Sequence, residues 1–249
     1  LGSPVRGVVV AGCTPTVIGN IEFFTPQSRG NAISWGEMNR TRNLFAFSNS
    51  VRGIIAGGFD GSRLSLISYL TIASAGTNVS DFGDLTSKKD SGGANGHSSN
   101  QVRGLITGGY DGSSIINNID FITIATTGNA QDFGDLQSLG DVMMGGGMAS
   151  SIRAIFSGNY TNKIESVEIA SLGNATNFGT MTANRGTQHS NTDSIRGVIS
   201  GGKPSDPASN VNTMEYIQIM TEGNGVDFGD LVAATANGFD TVSSAHGGL

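Results

Sequence analysis

Val102-Arg103-Gly104-Leu105-Ile106-Thr107-Gly108-Gly109, followed by Gly128-Asn129-Ala130-Gln131-Asp132-Phe133-Gly134-Asp135-Leu136, is the stretch that decides the fold. Both halves recur along the chain. The first half returns as Val5-Arg6-Gly7, Val51-Arg52-Gly53, Ile152-Arg153-Ala154 and Ile195-Arg196-Gly197, with starts 46, 51, 50 and 43 residues apart. The second half returns as Ser34-Trp35-Gly36-Glu37-Met38, Asp81-Phe82-Gly83-Asp84-Leu85, Asn177-Phe178-Gly179-Thr180-Met181 and Asp227-Phe228-Gly229-Asp230-Leu231. Five copies of two anchors in a fixed order mark a repeat architecture.

Each unit reads as short strands. Gly53-Ile54-Ile55-Ala56 is a brief apolar run stopped by Gly57-Gly58. Ile67-Ser68-Tyr69-Leu70-Thr71-Ile72 alternates with the period of a strand. A glycine turn such as Gly128-Asn129 precedes the aromatic-glycine anchor, and a run of small residues such as His189-Ser190-Asn191-Thr192 leads into the next Arg-Gly. No segment sustains helical periodicity. Four strands in about 50 residues is the size of one propeller blade. The expectation is a single all-β domain over residues 1–249: a five-bladed β-propeller of four-stranded antiparallel blades. Its blades start near Val5, Val51, Val102, Ile152 and Ile195. The chain reads as opening on the second strand of blade one. The spare small-residue run at 239–245 is expected to supply the missing inner strand and close the ring, removing a free edge.

Composition narrows the function classes. The 249 residues carry 14 Lys+Arg against 20 Asp+Glu, a net charge of −6. That balance argues against nucleic acid or an anionic membrane surface as the main partner, because both require a basic footprint. No apolar run approaches the ~18 residues of a membrane span. The first residues show no signal-peptide pattern, and the absence of an initial Met suggests a processed or trimmed product. One cysteine, Cys13, excludes an internal disulfide framework.

A residue repeated once per blade reads as scaffold. Arg6, Arg52, Arg103, Arg153 and Arg196 are therefore expected to pair with the repeated acids Glu37, Asp84, Asp135 and Asp230, Thr180 breaking the series in blade four. The aromatics Trp35, Phe82, Phe133, Phe178 and Phe228 are expected in the core. The diglycines suit positive φ and close strand approach. Asp60-Gly61 and Asp111-Gly112 read as tight turns; calcium ligation is the alternative, but too few oxygens can be named for it. His97, His189 and His246 fall in or beside inner-strand runs without a common register, so no metal site and no cofactor is read. No nucleophile elbow appears, and every acidic cluster recurs across blades, so the chain reads as non-enzymatic. Loops that differ between blades are the better place for specificity: 60–64, 88–96, 111–115 and 204–212, with Asp60, Asp111, Lys88, Lys203 and Asp206 as candidate contacts.

The string Arg185-Gly186-Thr187-Gln188-His189-Ser190, then Arg196-Gly197-Val198-Ile199-Ser200-Gly201-Gly202, resembles a kelch repeat; Tyr69, Phe121 and Tyr216 match its aromatic strand and Trp35 its tryptophan. Blades one and four depart at Gly12-Cys13 and Gly158-Asn159. The Arg-Gly-apolar-Gly-Gly unit joined to Gly-Asn-Ala-x-Asp-Phe-Gly-Asp-Leu also resembles repeats of tail-fibre and virion structural proteins of tailed phages, marine ones especially. That resemblance implies a virion-surface or extracellular module attaching to other virion proteins or to host glycan. A secreted lectin-like propeller is the alternative, and a glycan-processing enzyme with one asymmetric acidic cleft is a third reading.

Overall fold

The computed structural model describes residues 1–236 apart from 40, 75, 77, 92–96, 139–145 and 206. It is an all-β propeller of five four-stranded antiparallel blades. Blade one contains β1 (Gly2–Ser3), β2 (Arg6–Thr14), β3 (Thr16–Phe24) and β4 (Ile33–Glu37). Blade two contains β5 (Phe45–Ser48), β6 (Arg52–Ala56), β7 (Leu66–Thr71) and β8 (Ser80–Asp84). Blade three contains β9 (His97–Ser99), β10 (Arg103–Thr107), β11 (Asn118–Thr123) and β12 (Gln131–Asp135). Blade four contains β13 (Gly146–Ala149), β14 (Arg153–Ser157), β15 (Thr161–Glu168) and β16 (Thr176–Arg185). Blade five contains β17 (His189–Thr192), β18 (Arg196–Ser200), β19 (Thr213–Gln218) and β20 (Val226–Asp230).

Blade one does not open on its second strand. Leu1, Gly2 and Ser3 occupy the inner position, with Gly2 opposite Gly7, Ser3 opposite Arg6 and the Val8 amide donating to the Leu1 carbonyl. The run at 239–245 lies outside the described residues.

In blades two to five the turn from the first to the second strand is set by one side chain. Asn49, Asn100, Ser150 and Asp193 each accept hydrogen bonds from the amides two and three residues on, the second being that of the repeated arginine. This is the Asx or Ser turn that small polar side chains favour. In Asp193 the Arg196 and Ile195 amides hold the carboxyl below the usual carboxylate range. After the second strand, Gly57, Gly108 and Gly201 sit at φ of 59°, 60° and 65°, as the turn requires. Blade four replaces that turn with a tight hairpin in which Asn159 and Tyr160 are left-handed. Blade one continues instead into a long β2–β3 hairpin.

The core lies between blades. Second-strand residues alternate: the third points to the following blade and the fourth to the preceding one. Val8 thus meets Ile55, Ile54 meets Ile106, Leu105 meets Phe156, and Ile155 meets Ile199 across four successive seams. Trp35, Phe82, Phe133 and Phe178 are buried in these seams, but Phe228, expected in the core with them, is 49 % exposed because no following blade covers it.

A second device crosses three of the seams on the outer strands. In all five blades the register shifts once where the anchor pairs with the third strand, marking a β-bulge. The Gly-Asn-Ala turn of the next blade docks there. The Gly173 amide donates to the Phe133 carbonyl at 2.8 Å, the Ala175 amide to the Asp135 carbonyl at 2.8 Å, and the Asp135 amide to Asn174 Oδ1 at 2.9 Å. The same three bonds join Gly128-Asn129-Ala130 to blade two and Gly223-Asn224-Gly225 to blade four. A Cβ on Gly83 or Gly134 would lie 2.5 Å from the opposing backbone, so glycine is obligatory for that approach.

The repeated arginines also cross the seams, but not to carboxylates. Nη1 of Arg6, Arg52, Arg103 and Arg153 donates to the carbonyls of Ile72, Ile124, Ile169 and Ile219 of the following blade at 2.6, 2.9, 2.8 and 3.2 Å. Arg52, Arg103 and Arg196 lie over the rings of Tyr69, Phe121 and Tyr216. The expected pairing with Glu37, Asp84, Asp135 and Asp230 is therefore corrected. The reason is position along the strand: Arg52 pairs with Thr71 and Asp84 with Leu66, at opposite ends of β7. Five residues of strand separate them by about 17 Å. Glu37, Asp84 and Asp135 serve the clasp through their backbone instead, and Arg153 finds its carboxylate in Glu168 at 2.8 Å.

Arg103→Ala is expected to cost about 2 kcal/mol, the range of a hydrogen bond from a charged donor plus a cation–π contact. Arg196, which donates to no following blade among the described residues, is expected to cost less than about 1 kcal/mol as alanine. Urea unfolding of the two variants checks this; equal losses would remove the carbonyl bond as the cause.

Candidate functional site

The candidate loop residues do not converge. Asp111 accepts from the amides of Ser114 and Ser113, at 2.7 and 2.6 Å, which hold its carboxyl below the usual range. Asp60 accepts likewise from Ser62 at 3.2 Å. Both carboxylates are used by their own turns, as the turn reading expects. Between them Arg63 lies over the rings of Phe59 and Tyr110 and pairs with Asp90 at 2.8 Å, tying the loops of blades two and three together. Lys88 is exposed. Lys203 is half-buried and bridges to Gly186 on blade five, at the loop position that Phe59 and Tyr110 hold on blades two and three. Asp206 and His246 lie outside the described residues. His97 sits on β9 and His189 on β17, and no cluster of three metal-ligating side chains occurs among the described residues.

A different place stands out, at the seam between blades one and two. It is visible only by comparing one position across blades: the residue after the bulge on the third strand. That residue is Asp120 in blade three, Glu165 in blade four and Glu215 in blade five, all fully buried. Each carboxylate fills its seam and binds the segment after the preceding blade's anchor. Asp120 accepts from Thr86 Oγ1 at 2.5 Å and pairs with Lys89 at 3.1 Å. Glu165 accepts from the Gln137 and Ser138 amides at 3.0 and 2.6 Å and from the Ser138 hydroxyl. Glu215 accepts from the Thr182 amide at 2.8 Å and pairs with the buried Arg185. Burial pulls the Lys89 ammonium below the usual lysine range, against the opposing attraction of Asp120. Lys88 and Lys89 are neighbours in the segment between β8 and β9, yet Lys88 is exposed and Lys89 is buried against Asp120.

Blade two has Ser68 at this position. The short side chain leaves a cavity of about 430 Å³. Ile55, Leu64, Leu66, Met38 and Val79 give it an apolar wall. Glu37, Asp81, Asn39, Asn78, Ser68 and Thr41 line it with carboxylates, amides and hydroxyls. Thr41 is 2 % exposed, and its Oγ1 has no hydrogen-bond partner among the described residues. A buried hydroxyl in that state costs about 1–3 kcal/mol unless something else meets it. An apolar wall with several convergent polar groups is the make-up of a small-molecule site.

Comparison with known protein families and with curated proteins finds no match.

Removing one member of the buried pair should be far worse than removing both. Lys89→Ala is expected to cost about 3–5 kcal/mol, because Asp120 is left buried and unpaired. The double variant Lys89→Met/Asp120→Leu is expected to recover most of that. Denaturant unfolding of the single and double variants decides it; a double variant as unstable as the single one would contradict the pairing.

Proposed function

We propose that this protein is a non-enzymatic attachment module that binds a polyhydroxylated ligand, a sugar unit of a surface glycan, in the cavity between blades one and two. The observation that carries the reading is the replacement of a seam-filling carboxylate by Ser68, which leaves a wall of apolar side chains beside hydroxyls, amides and carboxylates. A sugar ring has the matching chemistry: apolar C–H faces and a rim of hydroxyls that both donate and accept. Binding is favoured over catalysis because Glu37 and Asp81 occupy positions that recur around the propeller as Asp84, Asp135 and Asp230, and as Asp132 and Asp227. Carboxylates placed by the repeat serve the scaffold everywhere else. Within this reading the module belongs on a virion appendage or another extracellular surface. That placement rests on the Ser-, Thr-, Asn- and Gly-rich, weakly charged composition and on the resemblance of the repeat to phage tail-fibre repeats.

Ser68→Gln tests the proposal. The longer side chain fills the cavity as Glu165 fills its own seam, and it adds no charge beside Glu37 and Asp81. The wild-type protein is expected to bind a subset of sugars on a glycan array, and Ser68→Gln to lose that binding while melting no lower. Binding unchanged by Ser68→Gln would move the site elsewhere. Turnover of a bound glycan, abolished by Glu37→Gln, would replace the binding reading with that of a hydrolase.

A further inference from the structure

The seams from blade two to blade five are made by one repeated set of contacts, and one complete set is left over in two halves. The first half is on blade five. Phe228 is 49 % exposed, whereas Phe82, Phe133 and Phe178 are buried to within 3 %. A Cβ on Gly229 would meet nothing within 4 Å, whereas Gly83, Gly134 and Gly179 are each covered by the next blade's Gly-Asn turn. Arg196 is exposed and, among the described residues, makes no bond of the kind that joins Arg153 to the Ile219 carbonyl. Val232, which follows the anchor as Gln137 does, is fully exposed.

The second half is on blade one. Val9 is 54 % and Phe24 40 % exposed, at the positions where Ile199 and Ile217 of blade five are buried against blade four. Glu22 is exposed where Asp120, Glu165 and Glu215 are buried and bonded. Gly30-Asn31-Ala32 repeats the clasp turn, and Ala32 is exposed where Ala175 is fully buried.

We infer that the trailing face of blade five binds the leading face of blade one on a second copy of this chain, reproducing the inter-blade seam between molecules. Each element on one face has its partner on the other. Phe228-Gly229-Asp230 receives Gly30-Asn31-Ala32, the Val232 segment receives Glu22, and Arg196 receives the Pro26 carbonyl, the counterpart of Ile219. A second copy is the occupant because its blade one carries, position for position, the residue set that fills the other seams, and that set is exposed on every copy. With all four seams made, the two faces of one chain remain in solvent, and a second copy supplies the missing half without disturbing any of them. Exposed apolar faces of this kind mark association sites. The contact is heterologous, so copies add head to tail.

Sedimentation velocity of the full chain, with Phe228→Asp and Phe24→Asp, tests this. Wild type is expected to form assemblies that grow with concentration. Each variant alone is expected to be monomeric, since each has lost one of the two faces it needs. An equimolar mixture is expected to give one-to-one dimers and nothing larger, through the intact face of each. Circular dichroism checks that the variants fold, and Val232→Asp, at a fully exposed side chain on the same face, replaces Phe228→Asp if that variant does not. Wild type that stays monomeric overturns the inference. In that case hydroxyl-radical labelling of Phe228 separates the remaining occupants: protection means closure by the same chain's blade one, and labelling means a different partner. Assemblies that survive both substitutions, or mixtures that stay monomeric, also overturn it.

Discussion

The architecture depends on one backbone-to-backbone contact: the bulge glycine of the outer strand in blades two, three and four against the glycine turn of the next blade. A sheet buries its faces easily, but its edges and its neighbours' angles need a separate constraint. The clasp supplies it. Three hydrogen bonds to main-chain groups on either side of the bulge glycine fix one blade on the next, and the anchor aromatic is buried in the same seam. The arginine bond to the following blade's carbonyl acts at the other end of the blade. Between them the two contacts hold both ends of the three seams from blade two to blade five, and the apolar second-strand residues fill the space they define.

Repetition made the fold legible from the residues. The spacing of Arg-Gly and Phe-Gly, the alternation in the third strand and the diglycine stops place the blades and most strands. The inner strand of blade one leaves no mark in the sequence, because Leu1–Ser3 is too short to show any period although it pairs as an inner strand. The arginine partner was misjudged for a chemical reason. A carbonyl oxygen is present at every residue and leaves no mark in a sequence, whereas an acid does, so reading side chains alone favours the wrong acceptor. Gly128-Asn129-Ala130 was recognised as a turn, but its role across the seam depends on which blade face it meets.

The cavity was legible in principle and hidden in practice. Ser68 attracts no attention by itself. Set beside Asp120, Glu165 and Glu215, it is the one position among the four where the seam loses its buried acid. Function in a repeat protein is found in such departures, since whatever repeats in every blade is already employed in holding the blades together. The same logic identifies the two leftover faces, where the sequence keeps the contact residues and the structure leaves them uncovered.

The most direct test of the clasp compares Gly134→Ala with Gly229→Ala. Both glycines are left-handed, at φ of 143° and 126°, so the strain of adding a side chain is shared. Only Gly134 faces an opposing backbone, 2.5 Å from where the Cβ would sit, while the space beside Gly229 is open. Denaturant unfolding of the two variants, at a concentration low enough to keep the chain monomeric, isolates the contact. The account predicts a much larger loss of stability for Gly134→Ala. Equal losses would show that backbone strain alone explains the glycine and that the blades are held by something else.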